Sequence, residues 1–247
     1  MGKDLFSSQT ESYARYRPTY PDELFSYIMG YISIRNRAWD CGTGNGQAAI
    51  ALATYFSEVK GTDISNEQLA RASKRPNIEY IGCPAENTPF PDGYFNSITV
   101  AQAYHWFNFN AFEKEVHRVS KPGGVIAIWG YNLVSTNNHA LDKIIKSFYT
   151  NIIGPYWDAE RKYVEQNYAT VPFNFPIIGA QMFSIDRNWS LGDMTGYLNS
   201  WSAVQKFISA QQYNPVDIVS GELGHYWKKD ALIPITFPVF VKLGTAR

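Results

Sequence analysis

Three glycines at alternate positions mark the stretch of this chain whose residue types and spacing could do chemistry. Gly42, Gly44 and Gly46 follow Asp40 within the run RAWDCGTGNGQ, which predicts a short buried strand, a sharp turn and then a helix. Glycine is needed where the backbone takes a positive φ, or where a ligand approaches too closely for a Cβ. A glycine turn between a strand and a helix N-terminus forms the nucleotide site of doubly wound sheets. The run therefore predicts a nucleotide-type cofactor above the turn, with a tight loop that binds nothing as the alternative.

The spacing of these glycines separates the classes of nucleotide site. A dinucleotide turn has the form G-x-G-x-x-G, and its third glycine would fall at residue 47, which is a glutamine. A Walker phosphate loop ends in G-K-[S/T], but the first lysine after the turn is Lys60. The form present is D-x-G-x-G-x-G, from Asp40 to Gly46. A cofactor without a pyrophosphate needs close backbone approach and an acidic group for an ammonium more than it needs a phosphate cradle.

A second strand, over residues 58–63, ends in an acid. Asp63 follows Gly46 at close to the offset of about 20 residues at which a carboxylate meets a ribose in such folds. A carboxylate can accept two hydroxyl hydrogen bonds at once, so Asp63 is predicted to bind the ribose. The alternative is that Asp63 interacts with the N-terminus of the next helix. Ile64 would then lie against the adenine.

A histidine lies among aromatic residues where a further strand, over residues 95–101, ends. Active sites of open α/β sheets lie outside the carboxyl ends of the strands, so this segment is predicted to face the glycine turn. His105 could act as a general base or orient an acceptor hydroxyl or carboxylate. Tyr104 or Trp106 could present a ring face to a cation or to the substrate. The alternative is a structural histidine beside a core tryptophan.

The D-x-G-x-G-x-G run resembles motif I of the class I S-adenosylmethionine (SAM) dependent methyltransferases with a type 11 domain. Further motifs agree with that family in order and spacing, namely A-E-x-x-P-F from Ala85, the His105-Trp106 pair, K-P-G-G from Lys121 and Y-L-N-S-W-S from Tyr197. Two positions depart from the family pattern, since Thr88 and Ser120 each replace a leucine. The pattern of Phe6, Tyr13 and R-P-x-Y-P from Arg17 resembles small-molecule methyltransferases related to trans-aconitate methyltransferase.

The resemblance implies a fold, a cofactor and a set of residues. The fold would be α/β, a doubly wound, mostly parallel sheet of seven strands in the order 3-2-1-4-5-7-6, with a helical lid insertion. The cofactor would be SAM, with S-adenosylhomocysteine (SAH) as product and a small molecule as methyl acceptor. The implied cofactor-binding residues are Tyr13, Arg17, Asp40, Gly42, Gly44, Asp63, Ile64, Ala85, Glu86, Ala101 and Gln102, and the implied acceptor-binding residues are Tyr104, Trp106 and Trp201.

Several of these implied roles have structural alternatives. Arg17 would lie near the SAM carboxylate beside Tyr13, or the two could be a surface arginine and a packing tyrosine. Ala85 would offer its backbone N–H to the adenine and Glu86 would accept from the exocyclic amine, or Glu86 could be a solvated loop charge. Trp201 would form a wall of the acceptor pocket or pack in the core. Basic residues farther along the chain could meet an acceptor carboxylate or water (Arg161, Lys162, Arg187, Lys206).

The whole chain is predicted to form one domain of 247 residues. Its expected parts are an N-terminal helical cap (1–36), a SAM-binding core (37–130), a lid insertion (131–180) and C-terminal strands and helices (181–247). Helix N-caps are predicted at Ser65, Asn108 and Ser190. Residues 171–180 are predicted to be a proline-broken loop, with a strand over residues 182–186.

Composition and charge narrow the class of partner. Lys and Arg together number 22, as do Asp and Glu, so nothing predicts binding to nucleic acid. No signal peptide is recognisable, and no apolar run approaches the roughly 20 residues of a membrane span. Two cysteines suit a reducing compartment, so a cytoplasmic protein is expected. We also expect a monomer or homodimer, and no metal site.

The sequence thus predicts a SAM-dependent methyltransferase that acts on an oxygen or nitrogen of a small molecule, with carboxylates among the candidate acceptors. Attack would be in line on the sulfonium methyl, with His105 as the candidate catalytic residue. Three alternatives stay open: a SAM-binding module without catalysis, a methyltransferase for a protein or other macromolecule, and a nicotinamide oxidoreductase.

Overall fold

A single mixed sheet organises the chain in a computed structural model, which describes residues 16–228 and 230–246. Its seven strands lie in the order β3-β2-β1-β4-β5-β7-β6, which confirms the predicted order. The first five strands pair in parallel, whereas β7 is antiparallel to both of its neighbours, β5 and β6. The strands are β1 (Arg37–Cys41), β2 (Glu58–Asp63), β3 (Ile78–Gly82), β4 (Phe95–Ala101), β5 (Ser120–Tyr131), β6 (Ile177–Trp189) and β7 (Ile233–Thr245).

Helices connect the strands and cover both faces of the sheet. The α-helices are α1 (Asp22–Met29), α2 (Gln47–Leu52), α3 (Asn66–Ala70), α4 (Phe109–Val119), α5 (His139–Ser147), α6 (Arg161–Glu165), α7 (Leu191–Asn199), α8 (Ser202–Gln211) and α9 (Pro215–Gly224). Short turns of 3₁₀ helix cover Tyr104–Trp106 and Gly154–Tyr156, and a π-helical turn covers Phe148–Ile152. In the described part of the chain, none of these helices has both the length and the apolar character that crossing a membrane requires.

The predicted helix caps are confirmed. The Ser65 hydroxyl accepts from the Gln68 N–H at the start of α3, and the Asn108 side chain accepts from Ala111 N–H at the start of α4. Ser190 forms a reciprocal capping box with Asp193 at the start of α7. Each cap satisfies a backbone donor that the first turn of a helix leaves unpaired.

The central strands are buried on both faces, and this divides the core into two apolar clusters. Along β5, Val125, Ala127 and Trp129 lie in one cluster, while Ile126 and Ile128 lie in the other. Successive side chains of a strand point to opposite faces, so a strand covered on both sides is a continuous apolar run. The first cluster includes the apolar face of α1, and the second includes that of α4.

The order in which the chain adds strands reverses between β1 and β4, because β2 and β3 lie on one side of β1 and β4 lies on the other. β1 pairs with β2 through Trp39 and Lys60 on one side, and with β4 through Trp39 and Ile98 on the other. The carboxyl ends of these three strands therefore open onto one edge, which is where open α/β sheets bind ligands. This pairing brings together the glycine turn, Asp63 and the segment that contains His105.

The predicted loop over residues 171–180 is wrong at its C-terminal end. β6 begins at Ile177 and pairs with β7 along nearly all of its length, to Trp189 opposite Ile233. The strand is longer than the alternation over 182–186 predicted because backbone pairing with β7, not side-chain pattern, determines where it starts. Residues 137–165 are helical in pieces, since a π-helical turn and a 3₁₀ turn separate α5 from α6.

Candidate active site

All three glycines of the turn adopt a left-handed backbone, but they do so for different reasons. The φ angles are +67° at Gly42, +55° at Gly44 and +82° at Gly46. A Cβ on Gly42 would lie 2.6 Å from the Cβ of Ala103, and one on Gly46 would collide with Tyr80. A Cβ on Gly44 would meet no protein atom within 4 Å. Two glycines are therefore required by packing, and the third lies against open space that a ligand can enter.

Asp40 supports the turn from below and does not line the cavity above it. Its carboxylate accepts a hydrogen bond from the Thr43 hydroxyl at 2.6 Å and another from the Thr99 hydroxyl at 2.9 Å. The side chain is fully buried, and this burial raises the pKa of Asp40 to about 6. Because Thr43 belongs to the turn and Thr99 to β4, Asp40 joins two of the three strands that form the site.

Asp63 is held at the rim of the turn by two backbone amides. Its Oδ2 accepts from the Gly44 N–H at 2.8 Å, and its Oδ1 accepts from the Ser65 N–H at 2.9 Å. Hydrogen bonds of this charge-assisted kind fix the direction of a carboxylate. The two oxygens are thus anchored beside the open space above Gly44, as binding of a pair of ligand hydroxyls requires.

A cavity of about 670 Å³ lies over the turn, at the carboxyl ends of the strands. That volume is in the range of small-molecule sites. Most of the predicted cofactor residues line it, and so do unpredicted ones such as Tyr20, Gln47 and Tyr131. The predicted residues along its wall are Arg17, Gly42, Gly44, Asp63, Ile64, Ala85, Glu86, Ala101, Gln102 and Trp106. Tyr13 lies outside the described residues.

One end of this cavity combines an apolar surface with an acid. Ile64 is 43% exposed although it is a large aliphatic residue, and it lines the cavity together with Ala85. One oxygen of the Glu86 carboxylate accepts from the Asn108 N–H at 2.8 Å, just before α4. Glu86 is therefore oriented by the backbone, with its carboxylate at a wall of the cavity.

A partition of polar side chains bounds the other end. Nη1 of Arg17 donates to the Tyr131 hydroxyl at 2.6 Å. Gln102, at a φ of +55°, accepts from the Tyr131 N–H at 2.9 Å and donates to the Tyr131 carbonyl at 3.2 Å. The Gln102 side chain thus pairs with the backbone of Tyr131 just beyond the last paired residues of β4 and β5. Both Gln102 and Arg17 also line a second, smaller cavity.

The smaller cavity has a volume of about 50 Å³, which is room for a few water molecules or one functional group. It shares Arg17, Gln102, Trp106 and Tyr131 with the larger cavity, so the two adjoin. Its remaining walls come from distant parts of the chain, namely His105, Trp157, Asp158, Arg161, Tyr197, Trp201 and Ser202.

Three of the four residues predicted for the acceptor side come together around this smaller cavity. His105, Trp106 and Trp201 line it, and the Trp201 ring packs at 5.7 Å from the Trp157 ring. Tyr104 does not line either cavity, because its hydroxyl donates to the Pro172 carbonyl at 2.6 Å. Its ring instead packs in the core behind the site.

The smaller cavity contains a neutral histidine and an excess of positive charge. Burial, together with the smaller effect of the nearby Arg161 guanidinium, lowers the pKa of His105 to about 3. The guanidinium of Arg161 lies 5.2 Å from the Trp157 ring centroid, and its Nε donates to the Tyr149 hydroxyl at 2.9 Å. Asp158 forms an ion pair with Lys206 at 2.6 Å, which offsets its charge.

The other basic residues that the sequence offered for an acceptor carboxylate lie elsewhere. Arg187 donates to the Thr19 carbonyl at 3.1 Å, and Lys162 lies 5.1 Å from the Tyr163 ring centroid. Tyr131, Trp157 and Tyr168 have no signal in the sequence beyond a high aromatic content, because their contacts with the site span long stretches of the chain. In the ranges 16–228 and 230–246, no group of His, Cys, Asp and Glu is arranged to hold a metal ion.

Comparison with known proteins agrees with this geometry. Residues 39–128 match the model of the methyltransferase domain family. A candidate methyltransferase of Dictyostelium discoideum is 36% identical over 97% of this chain and 94% of its own length. The structure of a candidate type II methyltransferase from Anaeromyxobacter dehalogenans superposes with a TM-score of 0.86 and 32% identity, over 94% of this chain and 98% of that one. A Bacillus halodurans structure, with a TM-score of 0.53 and 18% identity over 92% of this chain and 99% of that one, shares the fold.

Proposed function

The chain belongs to the class I SAM-dependent methyltransferases, and we propose that it methylates an oxygen or nitrogen of a small anionic acceptor, with a carboxylate as the favoured group. The observation that supports this acceptor is the smaller cavity, which Arg161 lines next to the larger cavity, with Arg17 at the boundary between the two. Guanidinium groups bind carboxylates through paired, charge-assisted hydrogen bonds. The resemblance to the trans-aconitate methyltransferase branch supports the same class of acceptor.

The larger cavity has the groups that SAM requires. The open space above Gly44 allows close approach to the backbone, and Asp63 is oriented to accept from the two ribose hydroxyls. Ile64 and Ala85 offer an apolar surface to the adenine, with Glu86 beside them for its amine. Arg17 is the cation available for the SAM carboxylate where the two cavities meet.

Bound SAM would supply a methyl group on a positively charged sulfur, which is already a good electrophile. The protein's contribution would then be to position the acceptor in line and to exclude water. Trp106, Trp157 and Trp201 form aromatic walls suited to that exclusion. A carboxylate is already deprotonated near neutral pH, so this reaction does not require a strong base.

A methyl-transfer screen tests the proposal. The protein is incubated with SAM and, separately, with acetate, hexanoate, succinate, benzoate, phenol, catechol and benzylamine, and SAH formation is measured. We expect turnover with at least one carboxylate and less with the phenols and the amine. Turnover confined to benzylamine or the phenols would overturn the carboxylate assignment, and turnover with protein fractions alone would overturn the small-molecule assignment.

A further inference from the structure

We propose that Tyr168 is a positioning residue that fixes His105 as a hydrogen-bond donor toward the acceptor, so that His105 holds an acceptor oxygen and does not remove a proton. This inference rests on the proposed function for the identity of the acceptor. The tautomer that it assigns to His105 can be measured without any acceptor.

Tyr168 is placed by an unusual backbone and by complete burial. After α6 ends at Glu165, Asn167 and Tyr168 take φ angles of +53° and +55° in succession. Asparagine tolerates the left-handed region, but a tyrosine there is uncommon and is held by its surroundings. The Tyr168 ring packs at 5.0 Å from the Phe240 ring, and its side chain has no exposed surface. This backbone conformation and packing place the Tyr168 hydroxyl oxygen 2.8 Å from Nδ1 of His105.

The direction of this hydrogen bond follows from the groups around the hydroxyl. Burial raises the pKa of Tyr168, so the phenol keeps its proton. The nearby backbone N–H groups of His105 and Tyr104 lower this pKa, but burial outweighs them. In the portion of the chain that the structure describes, Nδ1 of His105 is the hydrogen-bond acceptor within reach of this O–H. Tyr168 therefore donates and Nδ1 accepts.

A neutral imidazole carries one proton, so an accepting Nδ1 leaves that proton on Nε2. Over the described ranges, no side chain or carbonyl is hydrogen-bonded to Nε2, and His105 lines the smaller cavity. The charged residues that line that cavity are Arg17, Arg161 and Asp158, and the Asp158 carboxylate is paired with Lys206. Nε2–H and the Arg161 guanidinium are both donors at this cavity, which is an arrangement suited to an anionic oxygen.

The chemistry that follows needs no proton transfer. A carboxylate oxygen of the acceptor would form the new bond to the methyl carbon while the carbon–sulfur bond breaks, and the electron pair of that bond stays on sulfur. The negative charge of the acceptor and the positive charge of the sulfonium are both lost. His105 would then contribute by orientation, which a donor without basicity can reproduce.

The first experiment reads the tautomer by nitrogen NMR of ¹⁵N-histidine-labelled protein in the presence of SAH, between pH 5 and 8. The His105 signal is assigned by its absence in His105→Gln. We expect a protonated Nε2 and an unprotonated Nδ1 throughout this range in the wild type, and a mixture of tautomers in Tyr168→Phe. Tyr163→Phe, a nearby tyrosine change that leaves the His105 contact intact, should match the wild type. A proton on Nδ1 in the wild type would overturn the inference.

The second experiment separates donation from basicity by steady-state kinetics with SAM and the best carboxylate of the screen. Glutamine has an N–H donor near the position of Nε2 but cannot act as a base, whereas alanine has neither. We expect kcat of His105→Gln within about fivefold of the wild type and a loss of roughly 50-fold or more in kcat/KM for His105→Ala. SAM affinity by calorimetry should be unchanged in both. Equal inactivity of the two variants, with SAM binding retained, would contradict the donor role.

Failure of the proposed function has a different signature from failure of this inference. If no carboxylate is methylated but the NMR experiment shows the Nε2–H tautomer depending on Tyr168, the acceptor assignment falls and the positioning role stands. If carboxylates are methylated and the tautomer is the opposite one, the positioning role falls alone.

Discussion

The two adjoining cavities are built in different ways. The larger one rests on backbone, since the turn from Gly42 to Gly46 and the loops after β2, β3 and β4 form its floor and rim. The smaller one is made mainly of side chains, which come from Arg17 at one end of the described chain and from Ser202 more than 180 residues later. A site made of backbone fixes a common cofactor, while a site made of side chains can change its acceptor without changing the fold.

The largest effect should come from adding a side chain to Gly44. Gly44→Val would fill the open space above the turn and also strain a left-handed backbone, so we expect a loss of SAM affinity of roughly 100-fold or more by calorimetry. Gly123→Val is the matched control, because Gly123 has a φ of +73°, meets no atom within 4 Å and does not line the cavity. The control should lose stability but bind SAM as the wild type does. Equal binding by both variants would show that the space above Gly44 is not the cofactor site.

A smaller loss is expected when the carboxylate at the rim is removed. Asp63→Ala would release the Gly44 and Ser65 amides and remove the proposed ribose ligand. Hydrogen bonds to charged groups contribute about 1.5–3 kcal/mol, so one such bond corresponds to a loss of affinity on the order of 30-fold. Asp92→Ala serves as control, because Asp92 pairs with Arg118 away from the cavity. Unchanged SAM affinity in Asp63→Ala would refute the assigned role of Asp63.

The same contrast explains what could be predicted from the sequence. The glycine turn and the acid that ends β2 were predicted because local spacing along the chain indicates them. The strand order was predicted only through the resemblance to a known methyltransferase family, because it depends on pairing between distant segments. The position of Asp40 beneath the turn was not predicted, because its hydrogen bond to Thr99 joins residues 59 apart. Arg161 was among the basic residues offered for an acceptor carboxylate. The contacts of Trp157 with Trp201 and of Tyr168 with His105 could not be foreseen, since they depend on how the segment between β5 and β6 packs.

A substitution confined to the smaller cavity should weaken binding of the acceptor and leave the affinity for SAM unchanged. Arg161→Met keeps much of the aliphatic contact with Trp157 but removes the cation, so we expect KM for a carboxylate acceptor to rise about tenfold. SAM affinity should stay within about twofold of the wild type. Lys162→Met is the matched control, because Lys162 is the next residue and does not line the cavity. A comparable rise in KM in both variants would indicate a general charge effect and not a binding role for Arg161.

The smallest effect concerns the pH dependence of stability, to which two buried groups contribute in opposite directions: Asp40 beneath the glycine turn and His105 at the smaller cavity. The pKa of Asp40 is raised to about 6, so its contribution to stability is present at low pH and is lost as pH rises through about 6. The pKa of His105 is lowered to about 3, so its contribution is present above pH 6.5 and is lost as pH falls toward 3. Between pH 5 and 6 each group should change the free energy of unfolding by about 1 kcal/mol, in opposite directions.

Because the two contributions oppose each other, a substitution that removes one group should expose the pH dependence of stability that the other group causes. Relative to the wild type, Asp40→Asn should gain about 1 kcal/mol of stability from pH 5 to pH 6, and His105→Gln should lose about as much. Urea unfolding at the two pH values measures both differences, and subtraction of the wild-type difference cancels the contribution of the exposed carboxylates. Slopes of the same sign in the two variants would mean that the carboxylate beneath the turn and the histidine of the acceptor side are not buried in the protonation states that their surroundings impose.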